Sequence, residues 1–250
     1  MEFAVLARGD EDRLEQLIAI YRASIARAEQ KPEWMVREML GDTSRRLLVA
    51  LDEGRVIAFA ICYFAPDDAF WLLEYLAVDA NIRSGGVGGR TYDAARSLAT
   101  EVAPGAPCLL EVDAPHADAP DTDDAWRRLR FYRRFGCRRV EGLKYVLPFG
   151  RPGEVPPMWL LVDGLEGQES VSAETVAAWL RGVYAGVYAQ AADHPLIAAM
   201  MQPLEGKGAV RLRALDASPS SGAQCSVSPS GVKRFASTLL RWAARSGASS

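Results

Sequence analysis

The chain has 250 residues, 49% of them apolar and 24% charged, the proportions of an ordinary globular protein long enough to bury a core. Its 29 basic and 32 acidic side chains leave a net charge of −3, so nucleic acid meets no general attraction and is not an expected partner. No apolar run reaches the roughly 20 residues of a membrane span, and the opening MEFAVLARGD lacks the charged start and long apolar core of a secretory signal, which makes the cytoplasm the expected location.

Residues 2–7 read as a short strand, and Asp10 is placed to cap a helix in which Leu14, Leu17, Ile18, Tyr21 and Ile25 recur at helical spacing. A second helix is expected over 32–40, with Trp34, Met35 and Leu40 as its apolar members. Three apolar stretches, 46–51, 55–64 and 70–78, are separated by Asp52-Glu53-Gly54 and Ala65-Pro66-Asp67-Asp68, which predicts an antiparallel meander. A glycine-rich loop from Arg83 to Gly89 then opens a helix to about residue 102, with Val87, Thr91, Ala94, Ala95, Leu98 and Val102 on one face. A strand over 108–112 follows. Asp121 or Thr122 is placed to cap a helix running to Phe135, which Gly136 ends. Strands over 138–147 and 157–163 complete a block whose order implies a mixed α/β sheet with helices on both faces.

Beyond Gly164 a single Ala-rich helix is expected over 172–192, carrying Trp179, Leu180, Val183, Tyr184, Val187 and Tyr188, and a shorter one near 195–202. The pattern divides the chain into a domain of residues 1–163, a helical extension of 164–215 and a tail of 216–250 rich in Ser, Ala, Gly and Pro. That tail is expected to be largely flexible around one helix-like island, Val232 to Ala244. The aromatic stripe of the extension suits packing back on the domain, a homodimer contact or a lid.

The segment from Leu72 to Arg90 sets a strand, a short turn and a glycine-rich helix start in immediate succession. Unpaired N–H groups at such a helix start, together with the helix dipole, make an anion site, and glycines let a diphosphate approach the main chain. A dinucleotide fingerprint from Gly86 needs glycine or alanine where Thr91 stands, and a phosphate loop ending at Thr91 needs lysine and glycine where Arg90 and Ser84 stand. Neither pattern is present. What is present is Arg-x-x-Gly-x-Gly, formed by Arg83, Gly86 and Gly88 directly after Leu76-Ala77-Val78, and a later Phe-Tyr-x-x-x-Gly formed by Phe131, Tyr132 and Gly136.

In these two motifs, and over roughly residues 1–163, the sequence resembles the Gcn5-related N-acetyltransferase (GNAT) superfamily. The resemblance implies a mixed, mostly antiparallel central sheet flanked by helices, acetyl-CoA as cosubstrate, and an amine as acyl acceptor. It further implies that Arg83, Ser84, Gly85, Gly86, Val87, Gly88 and Gly89 cradle the coenzyme diphosphate while Leu76, Ala77 and Val78 line its pantetheine arm. Tyr132 is the expected proton donor to the departing thiolate, and a backbone N–H of residues 76–78 the expected carbonyl polariser. Glu74, a carboxylate in an otherwise apolar run, is the first candidate base, with Glu111 and Asp113 as competitors and a structural pairing with arginine as the rival role. Glu29, Lys31, Trp34 and Tyr145 are candidates for bounding the acceptor, whose identity stays open among small metabolites, peptides and proteins. A coenzyme-binding sensor without turnover is the alternative on the same fold.

Seven arginines between Arg127 and Arg139 suit an acidic partner, the coenzyme 3′-phosphate, or a solvated face balanced by Asp118, Asp121, Asp123 and Asp124. His116 and His194 have no metal spacing, no metal is expected, and Cys62, Cys108, Cys137 and Cys225 are expected as reduced thiols.

Overall fold

The computed structural model describes residues 1–27, 29–82, 85–116, 123–148 and 158–215. The strands β1 (Glu2–Val5), β2 (Arg45–Asp52), β3 (Arg55–Phe64) and β4 (Trp71–Val78) form an antiparallel succession, with the helices α1 (Glu11–Ser24) and α2 (Glu33–Glu38) inserted after β1. Then follow α3 (Val87–Val102), β5 (Cys108–Asp113), α4 (Asp124–Arg133), β6 (Arg138–Val140) and β7 (Met158–Asp163). The chain continues with β8 (Ser170–Ser172), α5 (Ala173–Gly186), α6 (Pro195–Met201) and β9 (Ala209–Ala214). The sheet order is β1-β2-β3-β4-β5-β7-β6-β9-β8, and β4–β5 is the one parallel pair among the described strands. This is the mixed, mostly antiparallel sheet flanked by helices that the sequence implied.

Alternation along β3 divides the core. Phe59, Ile61 and Tyr63 point to one face, where the first two meet Leu14, Leu17, Ile18 and Tyr21 of α1 and Tyr63 joins Val176, Trp179, Leu180 and Val183 of α5. Ala60, Cys62 and Phe64 point to the other, against Tyr92 and Ala95 of α3 and Trp126 and Leu129 of α4. The close docking of α5 depends on two glycines one turn apart. A Cβ on Gly182 would lie 2.6 Å from Cε1 of Phe70, and one on Gly186 would lie 1.8 Å from the Tyr63 hydroxyl. With hydrogen in both places the helix settles directly on the two rings, and the extension thereby shares one buried cluster with Leu72 and Leu109 of the central strands.

Several elements differ from their sequence expectation. Asp10 stands at the N-cap position of α1, but its carboxylate accepts from the Ala7 N–H (2.9 Å) instead of a helix amide. Asp123 caps α4, accepting from Ala125 N at 2.8 Å, whereas Asp121 and Thr122 lie outside the described residues. The strand expected over 138–147 stops at Val140, because Gly142 turns the chain at φ 80 and only Tyr145 rejoins β7, through a single bridge to Met158. The long helix expected to reach 192 ends at Gly186: Gln190 N–H reaches back to Tyr184 O (2.8 Å) around Ala189, which takes a left-handed φ of 51. The extension is not helical alone, since β8 and β9 pair with each other and β9 adds to β6. The tail beyond 215 and its island at 232–244 lie outside the described residues. Cys62, Cys108 and Cys137 are buried free thiols.

Candidate functional site

The parallel pair β4–β5 is joined at two positions only, Trp71 with Cys108 and Leu72 with Leu109. Beyond them β4 runs to Val78 and β5 to Asp113 with no further pairing, so the two strands part and leave a slot in the sheet. The cause is local. In the β3–β4 register Cys62 faces Leu73 and Ile61 faces Tyr75, which leaves Glu74 as an extra, bulged residue. A bulge of this kind bends its strand and strengthens its twist, turning β4 away from β5. The Glu74 side chain is only 2% exposed, yet the residue is not buried as a whole, so the accessible surface at this position belongs to its main chain. Tyr75 and Leu76 are likewise partly accessible in the middle of a sheet. The backbone edge of β4 past Leu72 is therefore unpaired on its β5 side among the described residues.

At the far end of β4 the chain turns into α3. Gly85 and Gly86 hold positive φ of 91 and 67, a Cβ on either would meet nothing within 4 Å, and Gly86 is an N-cap with no side chain to offer. Among the described residues the first helical amides of α3 have no side-chain cap, whereas α4, α5 and α6 each have a side chain of their own at the cap. A Cβ on Gly88 or Gly89 would make ordinary contacts, 3.5 Å from Val78 and 3.5 Å from Phe135 respectively, so packing does not require glycine at either position. Arg90 donates to Gly85 O (3.1 Å) and adds positive charge beside the loop. Arg83 and Ser84 lie outside the described residues. Leu76, Ala77 and Val78 form the last paired stretch of β4 against β3, and the Val78 carbonyl accepts from the Ser24 hydroxyl at 3.2 Å.

Tyr132 lies on the α3/α4 face of the slot, in one buried cluster with Leu73 of β4 and with Leu110 and Val112 of β5. Its ring meets Phe131 and Tyr92 edge to face, at centroid distances of 5.1 and 5.7 Å. No described residue hydrogen-bonds its hydroxyl. Burial pushes that hydroxyl above the ordinary tyrosine value, against a smaller opposing pull from Arg128, so it stays protonated and able to donate.

The opposite face carries the carboxylates. Glu74 Oε1 accepts from Arg45 Nε at 2.6 Å, and its Oε2 meets Lys31 Nζ. Arg45 is held in turn by Asp42 and by the Gly186 carbonyl (3.2 Å). Glu111 accepts from the hydroxyls of Tyr145 and Tyr188, the latter at 2.6 Å. Burial raises Glu111 above the ordinary carboxylate range, opposed by those two hydrogen bonds and by Lys31. Asp113 is tied to Arg128 at 2.9 Å. Of the residues expected around the acceptor, Lys31 and Tyr145 reach this cluster, Trp34 is 49% exposed, and the Glu29 carbonyl accepts from Tyr75 Oη at 3.0 Å while burial raises its carboxyl above the ordinary range, opposed by Arg128 and reinforced by Asp113. Tyr188 belongs to the aromatic stripe for which a lid was one expectation, whereas Arg45 was not anticipated here; its signal was weak, a charged residue opening an apolar strand.

The arginines of 127–139 are mostly engaged locally, Arg127 with Asp124 and Arg139 over the Trp159 ring, while Asp118 and Asp121 lie outside the described residues. Among the described residues no group of three or more His, Cys, Asp and Glu is placed to hold a metal, and no helix is long and apolar enough to cross a membrane.

The profile of the Acetyltransferase (GNAT) family matches residues 14–137. Among solved structures, a GNAT-family protein from Bacteroides thetaiotaomicron is 23% identical, with a TM-score of 0.58 over 75% of this chain and 98% of its own. An aminoglycoside 6′-N-acetyltransferase complexed with coenzyme A is 18% identical, with a TM-score of 0.51 over 67% of this chain and 99% of its own. The ribosomal-protein-S18-alanine N-acetyltransferase from Escherichia coli is 15% identical, with a TM-score of 0.50 over 67% and 95%. No curated protein sequence matches the chain.

Proposed function

Because the chain belongs to the acetyltransferase (GNAT) family, we propose that it moves an acetyl group from acetyl-CoA to a primary amine. The observation that carries this reading is the slot between β4 and β5, open along the backbone edge of β4 and ending at the uncapped start of α3. The diphosphate lies on the amides of Gly85 to Gly89, and the pantetheine arm runs back along Leu76 to Val78 as an added strand. From Val78 to Leu73 there are five strand steps, roughly 17 Å, which suits an extended pantetheine arm and leaves the thioester beside the bulge. A neighbour of this fold holds coenzyme A.

At the thioester the two faces of the sheet divide the proton work. The amine, freed of one proton by Glu74 or by a water held on it, attacks the carbonyl carbon, and a main-chain N–H of β4 stabilises the oxyanion. The C–S bond then breaks, and the thiolate takes its proton from Tyr132. Glu74 is fixed by Lys31 on one oxygen and Arg45 on the other, so the amine reaches it by displacing Lys31, and Glu111 with Tyr145 and Tyr188 walls the acceptor side. The test is calorimetric titration with coenzyme A joined to thiol release from acetyl-CoA across an amine panel. Uptake with release is expected. Uptake without release from any amine would favour a sensor, and no uptake would remove the reading altogether.

A further inference from the structure

One primary amine already stands at the slot. Lys31, in the segment between α1 and α2, puts Nζ on Glu74 Oε2, 3.5 Å from the Val187 carbonyl and 5.8 Å from the Tyr188 ring centroid, and its side chain is only 12% exposed. A carboxylate, a carbonyl and an aromatic face are the three groups that together recognise an alkylammonium ion. Glu74 is also the bulged residue at which β4 leaves β5, and hence the residue beside which the thioester comes to rest. An amine in contact with the base, at the point where the acyl carbon arrives, has the arrangement of an acceptor about to react.

We propose that Lys31 is itself an acyl acceptor, modified within its own molecule when acetyl-CoA is bound and no external amine has displaced it. This rests on the function proposed above and deepens it by naming an acceptor. The ammonium passes one proton to Glu74, and the freed lone pair attacks the thioester carbonyl. The C–N bond forms, the C–S bond breaks, and the nitrogen loses its second proton. The thiolate is protonated by Tyr132, which recovers a proton from that nitrogen through solvent. The sum is Nε-acetyl-Lys31, free coenzyme A and one proton released, with acetyl-CoA as the sole co-reactant.

The chain supplies its own control. Unassisted chemical acylation follows exposure, and Lys144 and Lys207 are both exposed. The full-length protein is incubated with acetyl-CoA alone, digested, and the three peptides are followed by mass spectrometry, with coenzyme uptake measured on the same sample. Lys31 is expected to gain acetyl at least tenfold faster than Lys144 and Lys207, at a rate constant independent of protein concentration. Lys31→Arg, which keeps the charge facing Glu74, is expected to abolish thiol release in the absence of added amine while leaving coenzyme uptake in place. Labelling of Lys144 and Lys207 ahead of Lys31, or an unmodified Lys31 in protein that takes up coenzyme, overturns the inference and leaves the broader function standing. A protein that takes up no coenzyme fails at the earlier step and defeats both.

Discussion

The contact between α5 and β3 allows a sharp prediction, because the site depends on it. In Gly186→Ala the new methyl would stand 1.8 Å from the Tyr63 hydroxyl and 2.4 Å from Cζ, so helix and ring must part by more than an ångström. Overpacking of this kind costs about 1–3 kcal/mol. Gly186 is the last residue of α5, where alanine returns little of the roughly 1 kcal/mol it gains in a helix interior, so the loss stays at about 1–3 kcal/mol. For a domain of this size that is a fall in Tm of roughly 2–12 °C. The displacement also reaches the slot, because Gly186 O holds Arg45 and Arg45 holds Glu74. A drop in kcat of about tenfold, equivalent to ~1.4 kcal/mol, is therefore expected beside the lost stability. Thermal melting and thiol release measure the two effects. Gly208→Ala, where a Cβ meets nothing within 4 Å, serves as the control. A Gly186→Ala protein that is as stable as its parent or more so, with unchanged kcat, would show that α5 does not seat on Tyr63 as described.

Three further outcomes are expected. Tyr132→Phe keeps the packing of the ring and removes the proton donor, so kcat falls about 100-fold while the Kd for coenzyme A moves less than about threefold; stopped-flow release and calorimetry separate the two. Gly86→Val places a β-branched residue at φ 67, a strain of about 1–2 kcal/mol, and points its side chain into the open face of the loop; coenzyme affinity is expected to fall at least tenfold by calorimetry. Glu111 has a folded-state pKa raised above the ordinary 4.5, first by burial, so the native state holds its proton more tightly than the unfolded chain does. Its contribution is then fully present below the unfolded value and is lost as pH rises through the folded one. Urea melts should accordingly show Glu111→Gln gaining on the parent protein as pH rises from 4.5 and levelling off above the folded pKa. A difference that stays flat across that range would contradict the assignment.

The elements legible in the sequence are those specified by neighbours along the chain. The meander of β2 to β4 announced itself through apolar runs broken by Asp52-Glu53-Gly54 and Ala65-Pro66-Asp67-Asp68, and α3 through its one-sided stripe. The end of α5 gave no such signal, because the left-handed turn that closes it falls on Ala189 and not on a glycine. β9 has clear alternation, with Val210 and Leu212 buried and Arg211 and Arg213 outside, but it lies in a stretch whose helices dominated the pattern. Pairing of Glu74 with an arginine was one expectation and is what the structure shows, but which arginine, and the presence of Lys31, were out of reach for a different reason. Its partners Lys31 and Arg45 are 43 and 29 positions away, and a side chain's ion pair is a property of tertiary approach that local periodicity does not record. The bulge that exposes the main chain at Glu74 is a matter of register, which only the paired strand reveals.

Lys31 and the Val187 carbonyl, which meet at the slot, are 156 positions apart in the chain. During synthesis the β2–β4 meander and the loop that opens α3 leave the ribosome before the segment that carries Val187 and Tyr188, so on the function proposed above a nascent chain holds a loop for the coenzyme with no completed wall beside it. A product cut short before Tyr188 keeps its early strand pairing and lacks that wall.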